Sequence, residues 1–264
     1  MLISISRIWQ IPYTHNMKSG EGDSYRSIRY ARQVSIDGWG ESGQKRLAAM
    51  HIAIVGTGGL GSAASLYLAA AGIGHLTLID NQAVELSNLN RQVLYDINDL
   101  GQPKAAAAAR RLRSLNPDIT ITSQESKLDD GSAVTLLTES DLIIDCLDNL
   151  ETRFALNRYS VKQQVPLLHG GIREYYGELL LTDPPRTACL ACLFRNPAPS
   201  ATDIPVCGAT AGTLGTMQAM LAIRWVLADP PPKTGELIQV DLTRMSTEAV
   251  PVPRLPDCPV CGIS

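Results

Sequence analysis

His51-Ile-Ala-Ile-Val-Gly-Thr-Gly-Gly-Leu-Gly61 is the stretch of this chain that decides its fold class. Its first five residues form a short apolar run, which is typical of a strand buried in a parallel sheet. The glycines that follow have the spacing G-x-G-x-x-G, and residues 63–71 then favour a helix that ends at Gly72. Such glycines permit a tight turn and a close backbone approach at a helix N-terminus, so the stretch predicts a nucleotide-binding unit.

The alternation of strand and helix continues on both sides of this unit. Residues 25–50 predict a helical entry, and residues 76–80, 119–122 and 142–145 predict three further strands. A helix at 105–115 is predicted between the first two of these strands, and another helix between the last two. The pattern predicts an α/β, Rossmann-like fold with an open, mostly parallel sheet and helices on both faces.

The second half of the chain does not continue the regular alternation of strand and helix. Strands are predicted at 165–169, 177–182 and 238–242, with a turn at Gly170-Gly171 and a helix at 212–227. We therefore expect a loosely ordered extension followed by a single domain, which divides into a nucleotide-binding half and a second half. Their residue ranges are 1–24 for the extension, 25–264 for the domain, and 25–165 and 166–264 for its halves.

Four cysteines form two Cys-x-x-Cys pairs, Cys189 with Cys192 and Cys258 with Cys261. A structural zinc ion takes four thiolates in this spacing, each pair forming one tight turn around the metal. A redox role for either pair is the alternative. Two pairs together favour a structural Zn²⁺ site in the second half of the chain.

Composition narrows the class of protein. The formal net charge is −3 and the pI about 5.8. The composition therefore lacks the excess of basic residues that is typical of nucleic-acid-binding proteins. No apolar run approaches the roughly 20 residues that cross a bilayer, and the N-terminal stretch has no apolar core of a signal peptide. We expect a cytoplasmic protein with reduced thiols and no membrane partner.

Charged side chains follow the predicted strands at the positions where ligands bind in such sheets. Asp80 ends the second strand, where it can accept hydrogen bonds from ribose hydroxyls. Arg91 and Lys104 suit the charge of transferring phosphoryl oxygens, and Asp148 suits Mg²⁺. The glycines and Asp80 alone do not separate ATP from NAD. An NAD-dependent oxidoreductase, however, leaves Arg91, Lys104, Asp148 and the cysteine pairs unexplained.

These motifs together resemble those of the MoeB/ThiF/HesA family, bacterial relatives of the ubiquitin-activating enzymes. The matching motifs, which run from about residue 25 to the C-terminus, are Arg29-Tyr-Ala-Arg32-Gln33, GTGGLG (56–61), LTLID (76–80), SNLNRQ (87–92), GQPK (101–104), DCLDN (145–149) and both cysteine pairs. The resemblance implies ATP-dependent adenylation of the C-terminal Gly-Gly carboxylate of a ubiquitin-like sulfur carrier, with release of pyrophosphate. Molybdopterin and thiamine synthesis are the pathways implied.

The resemblance also assigns roles to individual residues. Asp80 would bind the ribose, Lys104 phosphate oxygens, and Asp148 Mg²⁺ with Asn149 beside it. Arg91 would stabilise charge at the α-phosphorus, and Arg32 would reach into the site of the partner subunit, which implies a homodimer with shared sites. The remaining nucleotide-binding residues implied are Gly56, Gly58, Gly59, Gly61, Ser87, Asn88 and Asn90.

Cys207 has two possible interpretations. In relatives, a cysteine in this region takes the activated acyl group or joins a sulfur relay, whereas a small buried residue is the structural alternative. The stretch between Cys207 and residues 215–220 is several residues shorter than the family pattern. Cys146 is interpreted as structural. None of the four histidines, His169 included, has metal-ligand spacing to another, so we expect ordinary hydrogen-bonded residues.

Three further interpretations stay open. The same chemistry could act on the carboxylate of a peptide, or on a tRNA base, although the acidic composition disfavours tRNA. An inactive scaffold that binds a carrier is the third, against which the complete set of Arg91, Lys104 and Asp148 argues. Because no sulfurtransferase-like segment follows Cys261, we expect a separate protein to donate sulfur.

Overall fold

The computed structural model describes residues 24–195, 204–227 and 232–262, and these form one sheet with its helices. The helices are α1 (Ser24–Val34), α2 (Gly40–Ala49), α3 (Gly59–Ala71), α4 (Lys104–Leu115), α5 (Ala133–Leu136), α6 (Leu150–Gln163), α7 (Leu190–Leu193) and α8 (Gly208–Leu227). The strands are β1 (His51–Val55), β2 (His75–Ile79), β3 (Thr120–Gln124), β4 (Leu142–Asp145), β5 (Leu167–Arg173), β6 (Tyr176–Thr182), β7 (Glu236–Asp241) and β8 (Ser246–Pro251).

The 8-stranded sheet has the order β3-β2-β1-β4-β5-β6-β7-β8. Neighbouring strands from β3 to β5 are parallel, and those from β5 to β8 are antiparallel. The chain winds outward from β1 to β2 and β3, then returns to place β4 on the other side of β1. Ligands bind at such a reversal, outside the carboxyl ends of the strands. The glycine turn after β1 and the segment after β4 meet there.

Helices cover both faces of the sheet because the central strands are apolar on both sides. Ile52 and Ile54 pack into one buried cluster with α3, α4 and α8, whereas Ala53 and Val55 pack into a second cluster with α5 and α6. An alternation of this kind is the expected consequence of the two-residue period of a strand. The expected fold class, an open and mostly parallel sheet with helices on both faces, is confirmed.

Some local predictions are wrong. Gly170 and Gly171 do not form a turn but lie within β5, where they pair with residues of β6. Helix α8 begins at Gly208 rather than at residue 212, so it follows Cys207 directly. The helix predicted before β4 is only the short α5, and the sequence patterns predict neither α6 nor β8.

Several predictions fall on residues outside the described part of the chain. These are nearly all of the N-terminal extension, most of the Pro/Ser/Asp-rich stretch before residue 205, and the start of the proline run at 230–232. Within the described ranges, no helix combines the length and apolarity that a membrane span needs.

Candidate functional site

The turn between β1 and α3 requires glycine at Gly56 and Gly61. Gly56 has a φ of +89°, and a Cβ on it would lie 2.7 Å from the carbonyl oxygen of Cys146. A Cβ on Gly61 would lie 1.9 Å from the carbonyl oxygen of Gly56. The backbone therefore closes tightly, and the first N–H groups of α3, which have no acceptor within the helix, point toward the open end of the turn.

An open cleft of about 1560 Å³ lies at this end of the sheet. It brings together most of the residues that the sequence predicts for nucleotide binding. Those that line it are Gly56, Gly58, Gly59, Asp80, Arg91, Lys104, Asp148 and Asn149. Ser87, Asn88, Asn90 and Gly61 are not in its lining; they support residues that are.

Asp80 ties the end of β2 to the glycine turn. Its Oδ2 accepts hydrogen bonds from the backbone N–H of Thr57 (2.8 Å) and from the Thr57 hydroxyl (3.1 Å). Its Oδ1 accepts from the backbone N–H of Gln82 (2.9 Å). The carboxylate is half-buried on the cleft wall, so it both orders the turn and presents acceptor oxygens to a ligand.

Arg91 is aimed by the segment that precedes it. Its Nη1 donates to the carbonyl oxygen of Ser87 (2.8 Å) and to Oδ1 of Asn90 (3.0 Å). The buried Asn88 fixes this segment, because its Oδ1 accepts from the backbone N–H of Glu85 (3.1 Å). The guanidinium consequently has neutral partners here and keeps its charge available to an anion.

Gln92 is a functional candidate that the sequence reasoning quoted only within a motif. Its side chain is buried on the cleft wall, and its Oε1 has no hydrogen-bond partner among the residues that the structure describes. Buried polar atoms are nearly always paired, so an unpaired acceptor at this position fits a ligand that donates hydrogen bonds. Amino and hydroxyl groups of a nucleoside are donors of this kind.

Lys104, the first residue of α4, holds a buried ammonium group. Only 4% of the residue is exposed, and its Nζ donates to Oε1 of Gln82 (2.8 Å). Burial lowers the pKa of Lys104 from its usual 10.5, and the carboxylates of Asp80 and Asp148 oppose that shift. An anionic ligand in the cleft would relieve the cost of burying this charge.

Asp148 and Asn149 follow β4 at the same edge. Asp148 is exposed on the cleft wall, where its oxygens can reach a cation shared with a ligand. Asn149 instead caps α6, since its Oδ1 accepts from the backbone N–H of Thr152 (3.0 Å). Arg153 in that helix donates from Nε to Oδ2 of Asp145 (2.8 Å), a buried pair that the sequence reasoning missed.

Cys207 and Arg32 do not line the cleft. Cys207 is exposed and directly precedes α8. A Cβ on Gly208 would lie 2.3 Å from the carbonyl oxygen of Asn90, so the start of α8 packs against the segment that carries Arg91. Arg32 is exposed on α1, away from the cleft of its own chain.

The four cysteines of the two pairs converge on one buried point. All four sulfurs lie within 4.8 Å of one another, with Cys189 Sγ and Cys258 Sγ 3.7 Å apart and Cys192 Sγ and Cys261 Sγ 3.4 Å apart. Thiolates about 2.3 Å from a tetrahedral zinc lie about 3.8 Å apart, whereas a disulfide would need about 2.05 Å.

Hydrogen bonds to sulfur favour the thiolate of Cys258, whereas burial raises the pKa of Cys189, Cys192 and Cys261. The backbone N–H of Leu255 lies 3.5 Å from Cys192 Sγ, and that of Cys261 lies 3.5 Å from Cys258 Sγ. Although burial raises the pKa of Cys258, backbone N–H groups of Cys261 and Val260 bring it to about 7. The donor set fits a four-thiolate metal site.

Comparison with known proteins places this geometry in a family. A model of the ThiF family matches residues 30–260. The chain belongs to the ThiF family. The resemblance inferred from the sequence motifs is therefore confirmed.

Three relatives are similar to this chain over nearly their full length. The chain is 38% identical over 248 residues to the SAMP-activating enzyme E1 of Haloferax volcanii, covering 91% of this chain and 90% of the relative. It is 37% identical to the molybdopterin-synthase adenylyltransferase of Escherichia coli (89% and 96%) and 35% identical to the Escherichia coli sulfur carrier protein ThiS adenylyltransferase (89% and 95%).

A solved structure shares the fold of this ThiF-family chain. It is that of the microcin C7 biosynthetic enzyme MccB in complex with N-formylated MccA, with a TM-score of 0.80. The two chains are 23% identical, and the match covers 89% of this chain and 75% of MccB. At that identity the likeness shows a common fold and carries no assignment of substrate.

Proposed function

We propose that the chain is an ATP-dependent adenylyltransferase. It activates the C-terminal Gly-Gly carboxylate of a ubiquitin-like sulfur carrier as an acyl-adenylate and releases pyrophosphate. The observation that carries the proposal is the convergence of Arg91, Lys104 and Asp148 on one cleft beside the glycine turn. The names of the relatives support it, since they include adenylyltransferases for molybdopterin synthase and for ThiS.

The cleft has the groups that ATP requires. The N–H groups at the start of α3 and the ammonium of Lys104 suit the phosphates, Asp80 suits the ribose hydroxyls, and Gln92 offers an acceptor to a nucleoside donor. Asp148 would hold Mg²⁺, which would offset the negative charge of the triphosphate. The exposed carboxylate of Asp148 offers oxygen ligands, which Mg²⁺ prefers.

Adenylation needs positioning more than covalent help. A carboxylate oxygen of the carrier attacks the α-phosphorus of ATP, the bond from that phosphorus to the pyrophosphate oxygen breaks, and no proton is transferred. The main obstacle is repulsion between the anionic carboxylate and the triphosphate. Arg91 and Lys104 present two cations at this point, so they stabilise the transition state and orient the α-phosphate for in-line attack.

We further propose that the cysteine cluster binds a structural Zn²⁺ ion, and that the active protein is a homodimer in which Arg32 completes the site of the partner subunit. Sulfur would come from a separate donor protein.

ATP–pyrophosphate exchange with purified carriers tests the proposed reaction. Exchange should require a carrier that ends in Gly-Gly and should vanish when its terminal glycine is deleted. The carrier that supports exchange would distinguish the molybdopterin pathway from the thiamine pathway. Exchange that depends instead on a short peptide, or no exchange with any carrier despite ATP binding, would contradict the assignment.

A further inference from the structure

A buried cluster of charged side chains lies beneath the cleft, and the adenylation scheme does not use it. Its members are Asp145 of β4, Arg153 of α6, His169 of β5 and Glu178 of β6. The side chains of Asp145 and His169 are 0% exposed, and Arg153 and Glu178 reach the wall of the cleft. Charged groups are seldom buried to this degree without compensation.

Both ring nitrogens of His169 face carboxylates. Nδ1 lies 2.7 Å from Oδ2 of Asp145, and Nε2 lies 3.4 Å from Oε1 of Glu178. The ring therefore bridges the carboxylates of two neighbouring strands of the sheet, β4 and β6, from its place on β5 between them. Phe194, which directly follows α7, also packs against the imidazole of His169. Its uncharged ring lies edge-on, with 5.6 Å between the two ring centroids.

Arg153 binds the same carboxylate as His169. It donates from Nε to the Asp145 oxygen that His169 also contacts. Asp145 is therefore held from two sides in the interior, whereas 32% of the Glu178 side chain is exposed to the cleft. The hydrogen bond with His169 lowers the pKa of Glu178; burial opposes ionisation of Asp145, but Arg153 and His169 hold its pKa below the usual range.

The cluster is joined directly to the segment that carries Asp148. Asp145 Oδ1 accepts from the backbone N–H of Leu147 (3.0 Å), and Nη2 of Arg153 donates to the carbonyl oxygen of Leu147. From the opposite side, Gln218 of α8 donates to the carbonyl oxygen of Asp145 (2.9 Å). The orientation of the Asp145 carboxylate therefore fixes the backbone one residue before Asp148.

We propose that His169 is a positioning residue, whose ring links Glu178 in the cleft wall to Asp145 and so fixes residues 145–149. The consequence for Asp148 rests on the proposed function, in which this carboxylate holds the metal ion of the nucleotide. The order of the segment is a property of the resting protein and does not depend on that function.

Hydrogen exchange of backbone amides tests the positioning role. In His169→Gln, the amide of Leu147 should exchange faster while amides of β2 and β3 keep their wild-type rates. His75→Gln, the same change at the opposite end of the sheet, should leave Leu147 unaffected. Uniformly faster exchange in His169→Gln would indicate a general loss of stability, and an unchanged Leu147 would show that His169 does not hold the segment; either result overturns the proposal.

If adenylation is also established, His169→Gln should raise the Mg²⁺ concentration for half-maximal exchange by about 10- to 100-fold, with little change in the KM for the carrier. An unchanged Mg²⁺ requirement would overturn the link to Asp148. Because the hydrogen-exchange measurement needs no turnover, a chain that adenylates no carrier would refute the proposed function, and hydrogen exchange would still decide the role of His169.

Discussion

Gly56 shows at the scale of a single residue why the glycine motif is required. Its backbone lies in the left-handed region, and a β-carbon would meet the backbone of Cys146 rather than a side chain that can move. We predict that Gly56→Ala lowers the free energy of unfolding by at least about 1–3 kcal/mol. Denaturant unfolding measures the loss.

Gly212 provides the matched control for that variant. It lies inside α8, and nothing stands within 4 Å of the position of an added Cβ. Gly212→Ala should therefore raise the free energy of unfolding by about 0.5–1 kcal/mol. If Gly56→Ala proved as stable as Gly212→Ala, the tight closure of the turn would not be required.

The sequence indicates functional residues when their partners are close along the chain. Arg91 and Lys104 sit in motifs of the segment that joins β2 to α4, and Asp148 sits in a motif that begins at the end of β4, so the sheet rules place them at one edge. His169 carries no such signal, because its partners are 24 and 9 residues away and meet it only across the finished sheet. Its placement beside Asp145 depends on the register of β4 with β5.

At the scale of elements, strands with apolar runs were predicted and elements without an apolar period were not. All six residues of β8 are exposed, so no alternation marks it as a strand. Helix α6 buries Thr152, Arg153, Asn157 and Ser160 besides two apolar residues, so it has no apolar stripe. Strand β8 forms because β7 supplies its backbone partners, and α6 packs through polar side chains that pair with neighbouring elements, as Arg153 does with Asp145. A single sequence reveals neither kind of partner.

The first residues of β1 and β2 form a stacked histidine pair. The rings of His51 and His75 lie 3.9 Å apart between centroids and are nearly parallel, and Nε2 of His75 is 2.8 Å from the Thr122 hydroxyl. Burial and the neighbouring His51 lower the pKa of His75 from 6.5, with Glu139 opposing. The folded state therefore binds this proton less tightly than the unfolded state.

This shift predicts a loss of stability in acid. Because the pKa is depressed in the folded protein, the contribution of His75 is complete above about pH 6.5 and is lost as the pH falls through the folded pKa. The free energy of unfolding should decline more steeply below pH 6.5 in the wild type than in His75→Gln. Denaturant titrations at several pH values measure this decline. An equal decline in the two proteins would show that His75 does not cause it.

At the scale of the molecule, the metal cluster joins two distant parts of the chain. Cys189 directly precedes α7, Cys192 lies within it, and Cys258 and Cys261 lie near the end of the described residues. We predict that the wild-type protein binds about one zinc ion per chain. The Cys261→Ser variant should lose the zinc, and its Tm should fall by more than about 5 °C. Cys207→Ser, which changes an exposed cysteine outside the cluster, should alter neither quantity. Metal analysis that finds far less than one zinc per chain would contradict the proposed zinc site.

The proposed dimer makes a separate prediction. If Arg32 acts in the site of the partner subunit, Arg32→Ala and Arg91→Ala should each be inactive alone. Chains of the two variants, co-expressed in equal amounts, would form mixed dimers with one intact site and recover about a quarter of wild-type exchange. Recovery no greater than the sum of the separate variants would argue that Arg32 acts within its own chain or not at all.

Exchange by Arg91→Ala tests most directly whether this cleft performs adenylation. The matched control is Arg111→Ala, which removes an exposed arginine on α4 outside the lining of the cleft. With a Gly-Gly carrier and ATP, we predict that Arg91→Ala loses about 10²-fold or more in exchange rate with an unchanged Tm, while Arg111→Ala retains wild-type exchange. Equal rates for the two variants would contradict the assignment of the site.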